Sequence, residues 1–124
     1  MPELTLNDLF AIKPEIKKFE IEGKAKAGST KRPIIGHVYA KEFTSRDRRK
    51  IWELIGEDES RIPAVYVIYG VCDKDGNRKF VESDEIPIEE LVERVANLPD
   101  MHLAQMLTAV NDVNINDEKT TAKN

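Results

Sequence analysis

The feature that most constrains the fold is an uncharged, mainly apolar run over residues 64–72, in a chain in which 34% of the residues are charged. A membrane-spanning helix needs roughly 20 apolar residues, so this run is too short to cross a bilayer. The run is apolar at both alternating sets of positions and rich in β-branched residues, as is typical of a strand covered on both faces. We therefore predict that residues 64–72 form the central strand of a buried core.

The chain before this run carries a signal for a short N-terminal helix. Thr5 followed three residues later by Asp8 is a capping-box pattern, and Pro14 disfavours helical backbone at the residue before it. These signals predict a helix over residues 6–12. One face of that helix carries Leu6, Leu9 and Phe10.

Two strands and a second helix are predicted next. Phe19 and Ile21 alternate with charged residues, which indicates a half-buried strand, and the β-branched and aromatic residues of 34–43 indicate a partner strand. The polar segment 24–32 between them predicts a mobile loop. Thr44 is a predicted N-cap for the next helix. That helix carries an apolar stripe of Ile51, Trp52, Leu54 and Ile55.

The second half of the chain is predicted to contain a tight turn and two amphipathic helices. Gly76 supplies the positive φ of a hairpin turn over residues 73–77, which a short edge strand over 78–81 follows. Pro87 and Pro99 each mark the start of a helix whose apolar residues are spaced three and four apart. Since these two helices are consecutive, they predict a C-terminal helical hairpin.

Together these elements predict one α+β domain over residues 1–111, with an antiparallel sheet of about four strands covered by helices. Residues 112–124 are mostly polar, which predicts a flexible tail. The start of the chain lacks the basic segment of a secretory signal, and the single cysteine, Cys72, cannot form an internal disulfide. We therefore expect a protein of a reducing cytoplasm that does not enter the membrane.

Charge is divided unevenly along the chain. Residues 13–50 carry twelve Lys and Arg against five acidic residues, whereas residues 51–124 carry seven against sixteen. Such a division allows self-association through oppositely charged surfaces, or a basic face for nucleic acid over residues 24–50. The basic loop over residues 24–32 contains no aromatic residue, although base stacking is a common part of nucleic-acid binding. A nucleic-acid-binding accessory protein that uses the basic region 24–50 is the alternative interpretation.

Groups that could support catalysis or metal binding are few. His37 lies in a predicted strand and His102 in a predicted helix, and we expect both to be structural. Two histidines and one cysteine, widely separated in sequence, are a poor supply of metal ligands. Residues 73–77 have the spacing of calcium ligands, but their glycine is at the fourth position and not the sixth. The sequence predicts no metal and no cofactor.

A group of carboxylates is the remaining route to an enzyme or a ligand-binding module. Its members are Glu82, Asp84, Glu85, Glu89 and Glu90. Catalysis by paired acids needs a cleft to contain them, and the sequence predicts none. These carboxylates are instead well placed to oppose the dipole of the helix after Pro87. We therefore expect that the protein is not an enzyme and has no catalytic residues.

Several short motifs, in a fixed order along most of the chain, give the sequence a family resemblance. They are Leu6-x2-Leu9-x2-Ile12, Val38-Tyr39-Ala40-Lys41 with Phe43-Thr44-Ser45-x-Asp47-Arg48, Asp73-x-Asp75-Gly76-Asn77-x2-Phe80, Ser83-Asp84-Glu85-Ile86, and a polar end at Lys123-Asn124. In this order the chain resembles the tail assembly chaperones of long-tailed bacteriophages and prophages.

The resemblance implies a non-catalytic binding protein of virion morphogenesis. Members of this family hold the long, helical tape measure protein soluble and help to recruit the major tail protein around it. The resemblance also implies that the chaperone works in the cytoplasm of the bacterial host and is absent from the mature virion.

A chaperone of this kind needs apolar surface beyond what its own core uses, with charge around it. The partner-binding hypothesis therefore selects an N-terminal stripe, two adaptable methionines and two cations. These residues are Leu6, Leu9, Phe10, Met101, Met106, Arg46 and Arg49. The competing interpretation is that both apolar regions pack on the protein's own sheet. The exposure of the side chains decides between the two.

Overall fold

The computed structural model describes residues 2–114, in which a short helix and a β-hairpin precede a cluster of helices. The elements are α1 (Leu6–Phe10), β1 (Ile16–Glu22), β2 (Ile34–Lys41), α2 (Ser45–Ile55), α3 (Ile62–Gly70), β3 (Val71–Cys72), α4 (Ile88–Ala96) and α5 (Asp100–Asn114). The α+β class is as predicted. Among the described residues, no helix combines the length and the apolar character that crossing a membrane requires.

The predicted pairing of the first two strands is confirmed. β1 and β2 are antiparallel, with Phe19 opposite Val38 and Lys17 opposite Ala40. Because side chains alternate between the faces of a sheet, these four residues share one face. Helix α5 packs against both strands, and Phe19 and Val38 contact the core from there. β3 pairs with the other side of β2, which leaves β1 as an edge strand.

The prediction of a central strand over residues 64–72 was wrong. Most of this run is helix α3, and only Val71–Cys72 is a strand. The helix is surrounded by α2, α4 and α5. It buries Ala64, Val65, Val67, Ile68, Tyr69 and Gly70. A helix covered on all sides is apolar all round, so periodicity does not distinguish it from a covered strand. Pro63 lies in the first turn of α3, a position that favours proline at the start of a helix.

The tight turn after β3 forms as predicted. Gly76 has a φ of +87°, the left-handed conformation that favours glycine. The carboxylate of Asp73 accepts hydrogen bonds from the backbone N–H groups of Asp75 and Asn77, each at 2.9 Å. This turn connects β3, which directly follows the buried helix α3, to the next segment of the chain.

The sheet has three strands and not about four. The predicted edge strand over residues 78–81 is reduced to a single bridge between Cys72 and Arg78. The Arg78 side chain instead contacts α3. Its Nε donates to the carbonyl oxygen of Ile68 at 3.1 Å, and its guanidinium lies over the ring of Tyr69.

The two C-terminal helices form as predicted, but the hairpin is confirmed only in part. α4 packs on α3, and α5 packs on α3 and on both β1 and β2, whereas α4 and α5 make little contact with each other. The contact between α3 and α5 is very close at Gly70, where an added Cβ would lie 2.5 and 2.6 Å from the two γ carbons of Val110. The approach of these helices therefore depends on the missing side chain of Gly70.

Helix α5 extends to Asn114, so the prediction of a tail was wrong for residues 112–114. The buried side chain of Asn114 accepts a hydrogen bond from the N–H of Phe43 at 2.8 Å and donates one to the carbonyl oxygen of Lys41 at 3.1 Å. These bonds attach the end of α5 to the last residue of β2 and to the segment that follows it. Residues 115–124, the rest of the predicted tail, lie outside the described residues.

Candidate functional site

The start of α1 is fixed by its own side chains. The hydroxyl of Thr5 accepts from the N–H of Asp8 at 3.1 Å, and the carboxylate of Asp8 accepts from the N–H of Thr5 at 2.9 Å. These two bonds are the predicted capping box. The hydrogen bonds from the Thr5 backbone and side chain lower the pKa of Asp8 below its ordinary value. Local interactions therefore define this helix.

The apolar stripe of α1 is exposed. Leu6, Leu9 and Phe10 are 65%, 49% and 78% exposed, and α1 buries none of its residues. Leu4 and Ile12 extend the stripe at both ends and are exposed as well. The interpretation in which this stripe packs on the protein's own sheet was therefore wrong. We call Leu6, Leu9 and Phe10 the α1 stripe.

The two predicted methionines lie in different environments. Met106 is buried in the core with 8% of its surface exposed, which agrees with the competing interpretation that this part of α5 packs on the protein itself. It lies on the face of α5 that turns toward the core. Met101 is half-buried and lines an open groove of about 410 Å³ between β1 and α5. Only Met101 keeps a place at the surface.

Helix α2 presents a second surface, with cations and one aromatic ring. Arg46 and Arg49 are exposed, as the partner-binding hypothesis requires. Trp52, which was predicted to belong to the apolar stripe of this helix, is 51% exposed, whereas Ile51 and Ile55 are buried. Arg49 and Trp52 are three residues apart and therefore neighbours on the helix surface. Sequence reasoning missed Trp52 as an accessible residue, although the arginines that precede it in α2 were a signal.

Three of the carboxylates of residues 82–90 are held in separate ion pairs. Glu82 pairs with Arg78 at 2.9 Å, Glu90 pairs with Arg94 at 3.5 Å, and Glu89 pairs with Arg61. Partial burial raises the pKa of Glu82, but hydrogen bonds from its own backbone N–H and from Arg78 outweigh that effect and lower the pKa. Each of these three acids therefore has a basic partner, which is the arrangement of structural ion pairs.

The remaining candidates for chemistry are dispersed. His37 is exposed and meets the ring of Tyr39 edge-on, and His102 is half-buried in α5. Cys72 is fully buried, and burial raises the pKa of its thiol. Within residues 2–114, no group of three or more His, Cys, Asp and Glu side chains is placed to hold a metal ion.

The tip of the β1–β2 hairpin carries the basic loop predicted from the sequence. Its cations Lys24, Lys26, Lys31 and Arg32 are all exposed. An open hollow of about 350 Å³ lies there, and no aromatic side chain lines it. The hollow therefore offers charge without a surface on which a base can stack.

No protein-family model, curated protein or solved structure matches this chain. The exposed α1 stripe and the arginine and tryptophan surface of α2 are therefore the features on which a functional proposal depends.

Proposed function

We propose that this chain is a non-catalytic tail assembly chaperone of a long-tailed phage or prophage. In this role it binds the tape measure protein and helps to recruit the major tail protein in the cytoplasm of the host, and it is absent from the mature virion. The observation that supports the proposal most directly is the exposure of the α1 stripe.

Exposure of this stripe is costly to the free protein and useful to a binding protein. Complete burial of one Leu or Phe side chain yields about 1.5–3 kcal/mol, and α1 realises little of this in the free chain. A helix of five residues is also far below the length at which helices are stable in isolation. Packing of the α1 stripe against a client would therefore stabilise both the complex and the helix.

A long helical client suits this surface. Amphipathic helices bind through apolar anchors three and four residues apart, which is the spacing within the α1 stripe. Arg46, Arg49 and Trp52 supply a second contact region, and Arg and Trp are enriched among residues that dominate binding energies. Both regions present apolar or cationic side chains, and neither contains the ion-paired acids of residues 82–90.

The test is co-expression of this chain with the tape measure protein of the same genome. We expect the wild-type chain to keep that protein soluble and to co-purify with it. The double variant Leu9→Ser/Phe10→Ser should lose co-purification while its melting temperature falls by no more than a few degrees, because these side chains are exposed.

A matched control removes an equal number of exposed apolar side chains elsewhere. Ile34 and Ile35 are 60% and 61% exposed on β2, and Ile34→Ser/Ile35→Ser should retain the client. Retention of the client by Leu9→Ser/Phe10→Ser would contradict the proposal. A fall in its melting temperature of more than about 10 °C would place the α1 stripe in the core.

The alternative function is nucleic-acid binding through the basic region 24–50, and the exposed cations of the hairpin tip favour it. Binding of this kind weakens steeply as salt rises. Gel shifts with DNA and RNA at low salt test it, and the absence of any shift removes it.

A further inference from the structure

The outer edge of β1 offers unpaired backbone groups. Glu42 donates to the carbonyl oxygen of Glu15 at 2.8 Å, which sets the residues whose backbone faces β2. Backbone direction alternates along an antiparallel strand, so the N–H and C=O groups of Ile16, Lys18 and Glu20 point away from β2. An exposed edge of this kind is a template for another strand.

One side chain already pairs with this edge as a strand would. The amide of Gln105 on α5 accepts from the N–H of Glu22 at 2.7 Å and donates to its carbonyl oxygen at 2.9 Å. The geometry at Glu22 therefore suits ladder hydrogen bonds. Gln105 also marks where the open edge ends, which leaves Lys18 and Glu20 as the central accessible positions.

We propose that a second copy of this chain pairs with this edge, antiparallel, with the two β1 strands centred on Phe19. In that register Lys18 lies opposite the second copy's Glu20, and Glu20 lies opposite the second copy's Lys18. The backbone N–H and C=O groups of both residues point away from β2, so these two pairs exchange four backbone hydrogen bonds. The result is one sheet across two copies, and its shared ladder is limited to these two pairs because Gln105 already holds the backbone of Glu22, opposite which the second copy's Ile16 would lie.

Charge complementarity selects this register. Moving the centre to residue 18 sets Lys18 against Lys18, and moving it to residue 20 sets Glu20 against Glu20. Opposite charges directly across a strand pair are favourable and like charges are unfavourable. Of these three registers, only the one centred on Phe19 places Lys18 and Glu20 each opposite a residue of opposite charge.

The groove between β1 and α5 accommodates the inward face of the second strand. It has a volume of about 410 Å³ and is lined by Phe19, Met101, Ala104 and Thr108, with the charged residues Glu20, Glu22 and Arg32 also in its lining. The second copy's Phe19 would enter beside Phe19, over the small residues of α5. Lys17 would lie over the second copy's Ile21 and keep its ammonium near Glu15 and Asp112, at 3.7 and 3.9 Å. This inward charge is therefore accommodated.

The test is the dissociation constant of the dimer, measured by sedimentation equilibrium. We expect a reversible dimer. Lys18→Glu and Glu20→Lys should each weaken it by on the order of tenfold, because each places like charges opposite one another twice. The double variant Lys18→Glu/Glu20→Lys should restore the wild-type constant. Lys24→Glu and Glu57→Lys, which change net charge equally at exposed sites, should leave it unchanged.

Hydrogen exchange gives a readout that needs no variant. The amides of Lys18 and Glu20 should exchange quickly in dilute solution and become protected as concentration rises. The proposal is overturned if the chain stays monomeric. It is also overturned if the dissociation constant of the dimer is the same in both charge-reversal variants as in the wild type and these amides stay unprotected. The dimer uses different residues from the α1 stripe, so Leu9→Ser/Phe10→Ser should dimerise like the wild type. Failure of the chaperone function would therefore be distinguishable from failure of the dimer.

Discussion

Helices α1 and α3 both contain several large apolar residues, yet one is exposed along its length and the other is buried on nearly every side. α1 is defined by its capping box and packs little on the rest of the protein. α3 lacks a side-chain cap, and three helices surround it. The difference shows that apolar content does not set burial. Local hydrogen bonds define α1, whereas packing against the surrounding helices stabilises α3.

The largest expected effect tests the packing of α3. Gly70→Ala should lower the free energy of unfolding by about 3 kcal/mol, because the new Cβ would overlap the side chain of Val110. Chemical denaturation of the variant measures this loss. The double variant Gly70→Ala/Val110→Ala should be less destabilised than the sum of the single variants, since alanine at residue 110 makes room. Additive losses would contradict the close contact.

The next effect tests the attachment of α5 to the sheet. Asn114→Ala should cost about 2 kcal/mol, because the N–H of Phe43 loses its buried partner and the carbonyl oxygen of Lys41 loses a donor. Thermal unfolding measures the loss. Asn111→Ala, on the same helix, is the matched control and should cost less because its Oδ1 has no hydrogen-bond partner. A neutral Asn114→Ala would mean that α5 ends earlier.

A matched pair of caps compares α1 with a packed helix directly. Thr5 and Thr44 form the same capping box, but α2 buries Ile51 and Ile55 and α1 buries nothing. Thr44→Ala should therefore reduce global stability by about 1 kcal/mol. Thr5→Ala should leave global stability unchanged and lower only the protection of α1 amides against hydrogen exchange. Equal losses of stability would show that α1 is packed.

The smallest effect concerns acid. Hydrogen bonds from the Asn77 backbone, and also from Asp75 and the Asn77 side chain, lower the pKa of Asp73, although desolvation opposes them. A lowered pKa contributes stability above the ordinary value of 3.8, and this contribution is lost as pH falls through the folded pKa. Asp73→Ala should therefore be less stable than the wild type near pH 6, and the difference should shrink toward pH 2.

The Asp8 carboxylate provides the control for this pH dependence. Its pKa is lowered too, but it belongs to α1 and not to the packed body. Asp8→Ala should therefore have the same global stability as the wild type across this pH range. Denaturation curves at several pH values measure both variants, and a pH-independent loss in Asp73→Ala would contradict the assignment.

Part of the candidate site could be predicted and part could not. The spacing of Leu6, Leu9 and Phe10 placed them on one face of a helix, and the structure places that face in solvent. The sequence left open whether the sheet would cover it. Burial of Met106 was likewise left open, and Trp52 was wrongly predicted to share the buried stripe of α2, because the side of a helix that meets the core depends on where its neighbours lie. The edge of β1 became visible only with the strand order.

By itself the sequence determined the capping box at Thr5, the N-cap at Thr44, the β1–β2 pair and the turn at Gly76, because short-range hydrogen bonds and backbone preferences act within a few residues. The tertiary structure alone decided that residues 64–70 are helical, that α5 continues to Asn114, and that α1 remains uncovered. Burial supplies the reason: a uniformly apolar segment satisfies either a covered strand or a covered helix, and only its neighbours determine which one forms.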